Sequence, residues 1–407
     1  MTTIAPTGPL TDLKVIEMGS LIAGPFCGQI LGDFGADVVK IEDPKVGDPM
    51  RQWGRSLPKG LSPWWPVIGR NKRSVTLDLR TPEGRDLAMA LIDQADILIE
   101  NFRPGTLEKW GMGFEVLAGR NPGLIMARVS GFGQTGPYAE RAGYGLIGEA
   151  MGGLRYVTGE PDRPPARAGI SIGDSLTALH AVMGVTMALH HRARTGRGQM
   201  IDVALYESVL SVMENLVTEY DLTGYVRERS GSILPGIAPS NIYPCLHGEG
   251  ILIGGNGDTV FARLAETMGR PELVADGRFN SHAARGLHQG ELDGLISDWT
   301  RTQSLTELLA RLEADGIPCG RVFRAPDMLA DPQFQARQAI VEADHPVFGK
   351  VKMQNTFPKM SETPGAVRWP GPRLGEHTEQ VLGALGLTED ALTDLRDKGI
   401  ISRTSDT

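Results

Sequence analysis

The sequence predicts an α/β chain with more than one domain, and three observations lead there. Short apolar stretches rich in Val and Ile alternate with helical stretches through the first half, and that alternation builds parallel sheets covered on both faces. The chain has 407 residues, too many for one ordinary core, so a second domain is expected. Near residue 225 the composition turns to Gly, Pro and Ser, which reads as a join.

In chain order, LKVIEMG reads as a strand, PFCGQILGDFG as a short helix and ADVVKIED as a strand. SVTLDLR is a further strand, followed by TPEGRDLAMALIDQA, a helix with Thr81 as cap and Pro82 at its first position. DILIEN and LIMARVSGFG return as strands. Such sheets bind ligands beyond the carboxyl ends of strands, here Met18-Gly19-Ser20, Glu42-Asp43, Asn101-Phe102 and Ser130-Gly131-Phe132. No GxGxxG follows the first strand, which disfavours a nicotinamide dehydrogenase. From Ser175 a long helix is expected, with Leu176, Leu179, Val182, Met183, Met187 and Leu189 at helical spacing, Arg192 and Arg194 in the last turn and Gly196 as stop. Asp174 precedes it and reads locally as the N-cap, worth about 1 kcal/mol. Beyond the loop RERSGSILPGIAPSNIYPC, ILIGG is a strand, DTVFARLAETMG and SLTELLARLEADG are helices, and PCGRVFRA is a strand entering a turn. These make a smaller α/β domain over 226–330. A Pro-rich stretch then leads to the helical EQVLGALG.

The net charge of −8 argues against bulk attraction to nucleic acid or an anionic membrane. Cys27, Cys245 and Cys319 are odd in number and far apart, so they form no disulfide framework and no CxxC site. No HExxH is present, and the basic surroundings of His190-His191 suit a solvated helix end, so no metal site is expected. The stretch MTTIAPTGPL lacks a charged segment followed by an apolar one, and no apolar run approaches the ~20 residues that span a bilayer. The expectation is a soluble, cytoplasmic protein that binds neither membrane nor nucleic acid.

Six stretches in order carry a resemblance to the family III CoA-transferases. They are AGPFCGQILGDFGADVVKIEDPKVGD, NKRSVTLDLRTPEGR, IENFRPGTLEKWG, SGFGQTGPYAERAGY, GDSLTALHAVMGVTMALHHRARTGRGQMIDVAL and PRLGEHT, between residues 23 and 378. The resemblance implies a Rossmann-like large domain built from 1–225 and the return segment 331–407 around the small domain. It also implies a homodimer of interlocked rings, and it makes Asp174 the nucleophile. A free carboxylate attacks a thioester slowly, so an enzyme carboxylate carries the acyl group and then CoA. Acyl-CoA and small carboxylic acids are then the substrates, with no permanently bound cofactor. At matching positions Leu77, Asn101 and Phe102 would line the adenine and pantetheine path, Arg80, Arg103 and Lys109 would meet phosphate, and Tyr144 joins the CoA-binding set. Gly173 could donate to an oxyanion. Gly254, Gly255 and Gly257 would form a loop shielding the intermediates, or else a plain turn before the next helix. Tyr144, Met200 and residues 227–241 are candidates for the acid pocket, with a small dicarboxylate such as succinate as partner. The related acyl-CoA racemases need an acid–base pair, but no His lies between residues 120 and 179, and Gly145 stands where many transferases carry an acidic residue. A non-catalytic CoA- or nucleotide-binding protein is the other alternative.

Overall fold

The computed structural model describes residues 7–55 and 62–402. The chain forms two compact units, one of Met1–Leu154, Ala168–Asn215 and Pro332–Thr407, the other of Arg155–Arg167 with Leu216–Asp331. The join expected at 225/226 thus falls inside the smaller unit, which also takes in the Pro-rich excursion EPDRPPA.

In the larger unit β1 (Lys14–Glu17), β2 (Asp37–Glu42), β3 (Lys72–Thr76), β4 (Ile97–Glu100), β5 (Ile125–Ser130) and β6 (Met200–Ala204) form one parallel sheet, ordered β3-β2-β1-β4-β5-β6. Side chains alternate between two buried faces. Ile16 and Leu98 join one core with the helix Pro82–Ile92 and the helices Thr378–Ala384 and Glu389–Asp397. Val15, Ile97 and Ile99 join the other with the helices Ala23–Asp33 and Ile172–Thr195. Burial on both faces is why these strands read as continuous apolar runs. β6 was not anticipated, because its amino half is partly exposed and carries no such run. The order reverses between β1 and β4, and a crevice opens at their carboxyl ends.

β3 is the edge of the sheet, and the return segment covers it. Asn71 N–H donates to the Trp369 carbonyl, Ser74 N–H to His377 Nδ1, Thr76 N–H to Thr378 Oγ1 and Asp78 N–H to the Ile400 carbonyl. Trp369 Nε1 donates to the Lys72 carbonyl at 2.9 Å. The return segment, PRLGEHT included, therefore satisfies an edge that would otherwise present unpaired backbone groups. The same segment forms a hairpin of β10 (Ile340–His345) and β11 (Gly349–Gln354).

The helix Ile172–Thr195 ends as expected at Gly196, φ 72°. With 24 residues it is long and apolar enough in composition to cross a membrane, contrary to the sequence expectation. Its apolar residues are spread rather than continuous, and a set of them serves the core. The fully buried stripe is Ala178, Ala181, Val185 and Ala188, small residues that let the helix approach the sheet. The larger Leu179, Met183 and Met187 lie on the exposed side.

In the smaller unit β7 (Ser240–Pro244), β8 (Gly250–Gly254) and β9 (Cys319–Arg321) form an antiparallel sheet. Tyr243, Ile251, Phe261, Leu264, Leu308 and Leu312 fill its core from the strands and the helices Asp258–Thr267 and Leu305–Ala314. β7 lies in the stretch read as loop, where Pro239 and Pro244 masked the strand.

Candidate active site

Two clefts open at the carboxyl ends of the sheet and share Ser20 and Phe102. One, of about 230 Å3, is lined by Ile22, Asn101, Arg103, Tyr144 and Asp174 among others. The other, of about 220 Å3, takes in Lys40, Asp43, Leu77, Arg80 and Trp110. Their common residues follow β1 and β4, the strands between which the sheet order reverses.

Asp174 is not the N-cap. The helix begins at Ile172, Ser171 holds the cap position without a side-chain cap bond, and Asp174 is an acidic residue of the first turn. Gly173 stays helical, so the start moves back from the position the apolar pattern suggested. The aligned N–H groups still favour the anion there, by about 0.3–1 kcal/mol. The carboxylate lies against Gly145, where a Cβ would stand 2.1 Å from Asp174 Oδ2. Gly145 opens the short helix Gly145–Met151, in which Gly145, Gly148 and Glu149, with Gly152 at its C-cap, fall at helical spacing. A Cβ at Gly148 would meet Leu205 Cβ at 2.6 Å, and one at Gly152 would meet Val209 Cβ at 2.6 Å. The glycines thus let this helix press against its neighbours and bring Gly145 under the carboxylate. Glu149, buried to 1% exposure, accepts from Gly173 N–H at 3.5 Å. That N–H is aimed at Glu149, so Gly173 is not presented as an oxyanion donor.

Below the clefts lies a buried charge network. Glu17 accepts from Lys40 and Lys72, each at 2.8 Å, and Lys40 also reaches Asp48 at 2.8 Å. Burial pulls the Lys40 ammonium down, but Asp48, Glu17 and Glu42 outweigh it and hold its pKa above the ordinary lysine value. Burial lowers that of Lys72, partly offset by Glu17. Gly28 makes the room, since a Cβ there would lie 2.0 Å from Glu17 Oε2. The network supports the turn after β1, with Lys40 Nζ donating to the Gly19 carbonyl at 2.7 Å and Leu21 N–H to Asp48 Oδ1 at 3.2 Å.

The expected CoA contacts are only partly gathered. Leu77, 1% exposed, belongs to the core and only borders the second cleft. Phe102 stacks edge-on with Trp110 at 5.4 Å between centroids. Asn101 lines the cleft that contains Asp174 but binds the main chain of Ser20 at both ends of its amide, at 2.8 Å each. Arg80 is exposed but paired with Asp78 at 2.7 Å and Asp43 at 3.0 Å, so its charge is largely balanced locally. Arg103 reaches the cleft and donates to the Glu140 carbonyl at 2.6 Å. Lys109 is exposed at the end of the helix Thr106–Lys109 and lines neither cleft. Lys72 and Arg73 belong to the amino end of β3, held by Glu17 and Asp37, and offer nothing to phosphate. Met200 begins β6 and so lies at the opposite end of the sheet from the clefts. Tyr144 is 61% exposed at the lip beside Asp174.

The glycine loop belongs to the smaller unit. Gly255 is packed against Pro239 and Leu264, but a Cβ at Gly254 or Gly257 would have ordinary room, and neither has a positive φ. The local fold does not demand glycine at those two positions. The loop is anchored, with the buried Arg285 donating to the Asn256 carbonyl at 2.8 Å. Among the described residues no group of three or more His, Cys, Asp or Glu is placed to hold a metal ion.

The family model for CoA-transferase family III matches residues 10–378. The chain belongs to this family. It is 55% identical over 402 residues to the succinyl-CoA–D-citramalate CoA-transferase of Chloroflexus aurantiacus, covering 98% of this chain and 100% of the relative. The succinate–glutarate CoA-transferase of Agrobacterium fabrum is 38% identical over 95% of this chain and 98% of its own. Among solved structures a CAIB/BAIF family protein from Brucella suis superposes with a TM-score of 0.82 at 38% identity, over 93% of this chain and 100% of that one. This family III chain is therefore an enzyme that transfers CoA between acids. Sequence reasoning missed Arg141, which lines the cleft that contains Asp174 and lies 3.7 Å over the Tyr138 ring, although it stands in the quoted GPYAERAGY. It also missed Glu149, whose signal was a lone acid among glycines at helical spacing.

Proposed function

We propose that this enzyme moves CoA from succinyl-CoA to a small dicarboxylic acid of the citramalate type, through covalent intermediates on Asp174. The observation that carries the reading is the Asp174 carboxylate seated on Gly145 at the lip of the switch-point cleft. The 55% identity to the citramalate enzyme supports the substrate class.

Asp174 attacks the thioester carbonyl, the C–S bond breaks, and a mixed anhydride forms with CoA thiolate as leaving group. The thiolate attacks the aspartyl carbonyl, giving an aspartyl-CoA thioester and free succinate. The acceptor carboxylate attacks that thioester and releases thiolate again. The thiolate then takes the acceptor acyl group and frees Asp174. Each step trades one activated acyl bond for another, so positioning is the main task, and it can supply about 7–11 kcal/mol. We read the strand order as a Rossmann-like CoA-binding sheet, with the second cleft taking the nucleotide end. Phe102 and Trp110 would flank the pantetheine path, and Arg103 and Arg141 would meet anionic groups. Gly254 and Gly257 suit a loop that must come close to a ligand. The active form is a homodimer, supported by the exposed Leu179, Met183 and Met187.

The test pairs succinyl-CoA with citramalate, malate, glutarate, mesaconate, itaconate and acetate, and measures new acyl-CoA by chromatography. The reading expects a C5 or C4 dicarboxylate to dominate. Comparable rates with acetate, or no product from succinyl-CoA, would contradict it.

A further inference from the structure

We infer that Asn101 is a positioning residue. It holds the turn Gly19-Ser20-Leu21 in the shape that forms both clefts. Its amide oxygen accepts from Ser20 N–H at 2.8 Å, and its amide nitrogen donates to the Ser20 carbonyl at 2.8 Å. Only one orientation of the amide satisfies both bonds. The side chain sits in a slot between two glycines. A Cβ at Gly19 would lie 3.1 Å from Asn101 Oδ1, and one at Gly24 would lie 3.5 Å from its Cγ.

The turn needs holding because Leu21 has φ 66°, a left-handed conformation that a branched apolar residue adopts only under constraint. Three side chains supply that constraint from three sides. Asn101 grips Ser20, Lys40 donates to the Gly19 carbonyl, and Asp48 accepts from Leu21 N–H. Two of the three belong to the buried network and are fixed by it. Asn101 comes instead from the end of β4, so it ties the β1 turn to the β4 turn across the point where the sheet order reverses. The wall it holds matters to both clefts. Ser20 lines each of them, and Leu21, Ile22 and Ala23 line the one that contains Asp174. With the amide committed to Ser20, losing it releases the wall.

The inference rests on the proposed reaction only in its kinetic readout, so the first measurement is independent of activity. Hydrogen exchange is followed by mass spectrometry over residues 18–26 in the whole enzyme and in Asn101→Ala. Exchange of the turn amides should rise by about tenfold or more, since a local restraint has been lost. Unchanged exchange would overturn the inference. In the second measurement kcat should fall by about ten- to a hundredfold, the scale of a misplaced site wall. A weakened CoA complex with kcat unchanged would instead make Asn101 a direct CoA contact. Asn101→Asp keeps the acceptor and loses the donor, and it gives the same comparison with a smaller loss should Asn101→Ala fail to fold. The third measurement repeats Asn101→Ala in a Leu21→Gly background, where the left-handed conformation needs no restraint. The loss of kcat there should be at least about threefold smaller, because coupled residues are not additive. Equal losses in both backgrounds would sever the link to the turn. Wild-type transfer activity is assayed alongside, so failure of the proposed reaction is read separately from failure of this inference.

Discussion

At the scale of residues, the site depends on what has been left out beside Asp174. Gly145 carries no side chain because the carboxylate occupies that space. Gly145→Ala should push the carboxylate aside and lower kcat by about a hundredfold, the scale expected for a misplacement near 1 Å. Acyl-CoA binding and melting temperature should change little; unchanged turnover would show that the carboxylate tolerates another seat. The buried network makes a different demand. Lys40→Met leaves Glu17 and Asp48 without their shared cation, so urea unfolding should report a loss of about 3–5 kcal/mol. A loss below about 1 kcal/mol would mean the charges are not mutually dependent. GDS at residues 173–175 was legible as a carboxylate at a helix start, and only the register was off. The reason for Gly145 was not legible, because a glycine's meaning lies in whatever approaches it from another element. Nothing in VVKIED marks Lys40 as buried, because its pairing with Glu17 is made across the sheet.

At the scale of elements, five of the six parallel strands could be read from apolar runs bounded by turns, and so could the Thr81 cap, whose Oγ accepts from Gly84 N–H. The edge cover on β3 could not, since its partners are about 300 residues apart in sequence. His377 is the titratable part of that cover. Burial lowers its pKa below the ordinary histidine value, and its Nδ1 accepts from Ser74 N–H, which requires that nitrogen unprotonated. The folded form then binds a proton less readily than the unfolded chain. The stability it contributes is fully present above about pH 6.5 and falls as pH drops below that value toward the folded pKa. His345 is lowered by burial in the same direction. Melting temperature should decline between pH 7 and pH 5, and His377→Asn, which keeps an acceptor, should flatten part of the decline. An unaltered slope in the variant would remove His377 as its source.

At the scale of the whole molecule, the larger unit draws on both ends of the chain and the smaller one on the middle. The long helix places small residues in the core and leaves Leu179, Met183 and Met187 exposed, which is the reverse of what a lone amphipathic helix should do. Light scattering at micromolar concentration should therefore give a dimer. Met183→Glu should weaken the dimer, and a fully active monomer would contradict the proposal. What the sequence could not specify is the shape of the clefts, because their walls come from turns such as Gly19-Ser20-Leu21 whose shape is set by distant side chains. The central claim is that Asp174 becomes covalently acylated, and trapping tests it most directly. Enzyme incubated with succinyl-CoA and hydroxylamine should lose activity and carry a modified peptide spanning residues 168–192, with the change on Asp174. Asp174→Asn should bind acyl-CoA, fold nearly as well, and neither turn over nor take up the modification. A label on another residue, or an Asp174→Asn variant that transfers CoA at a rate near wild type, would contradict the account.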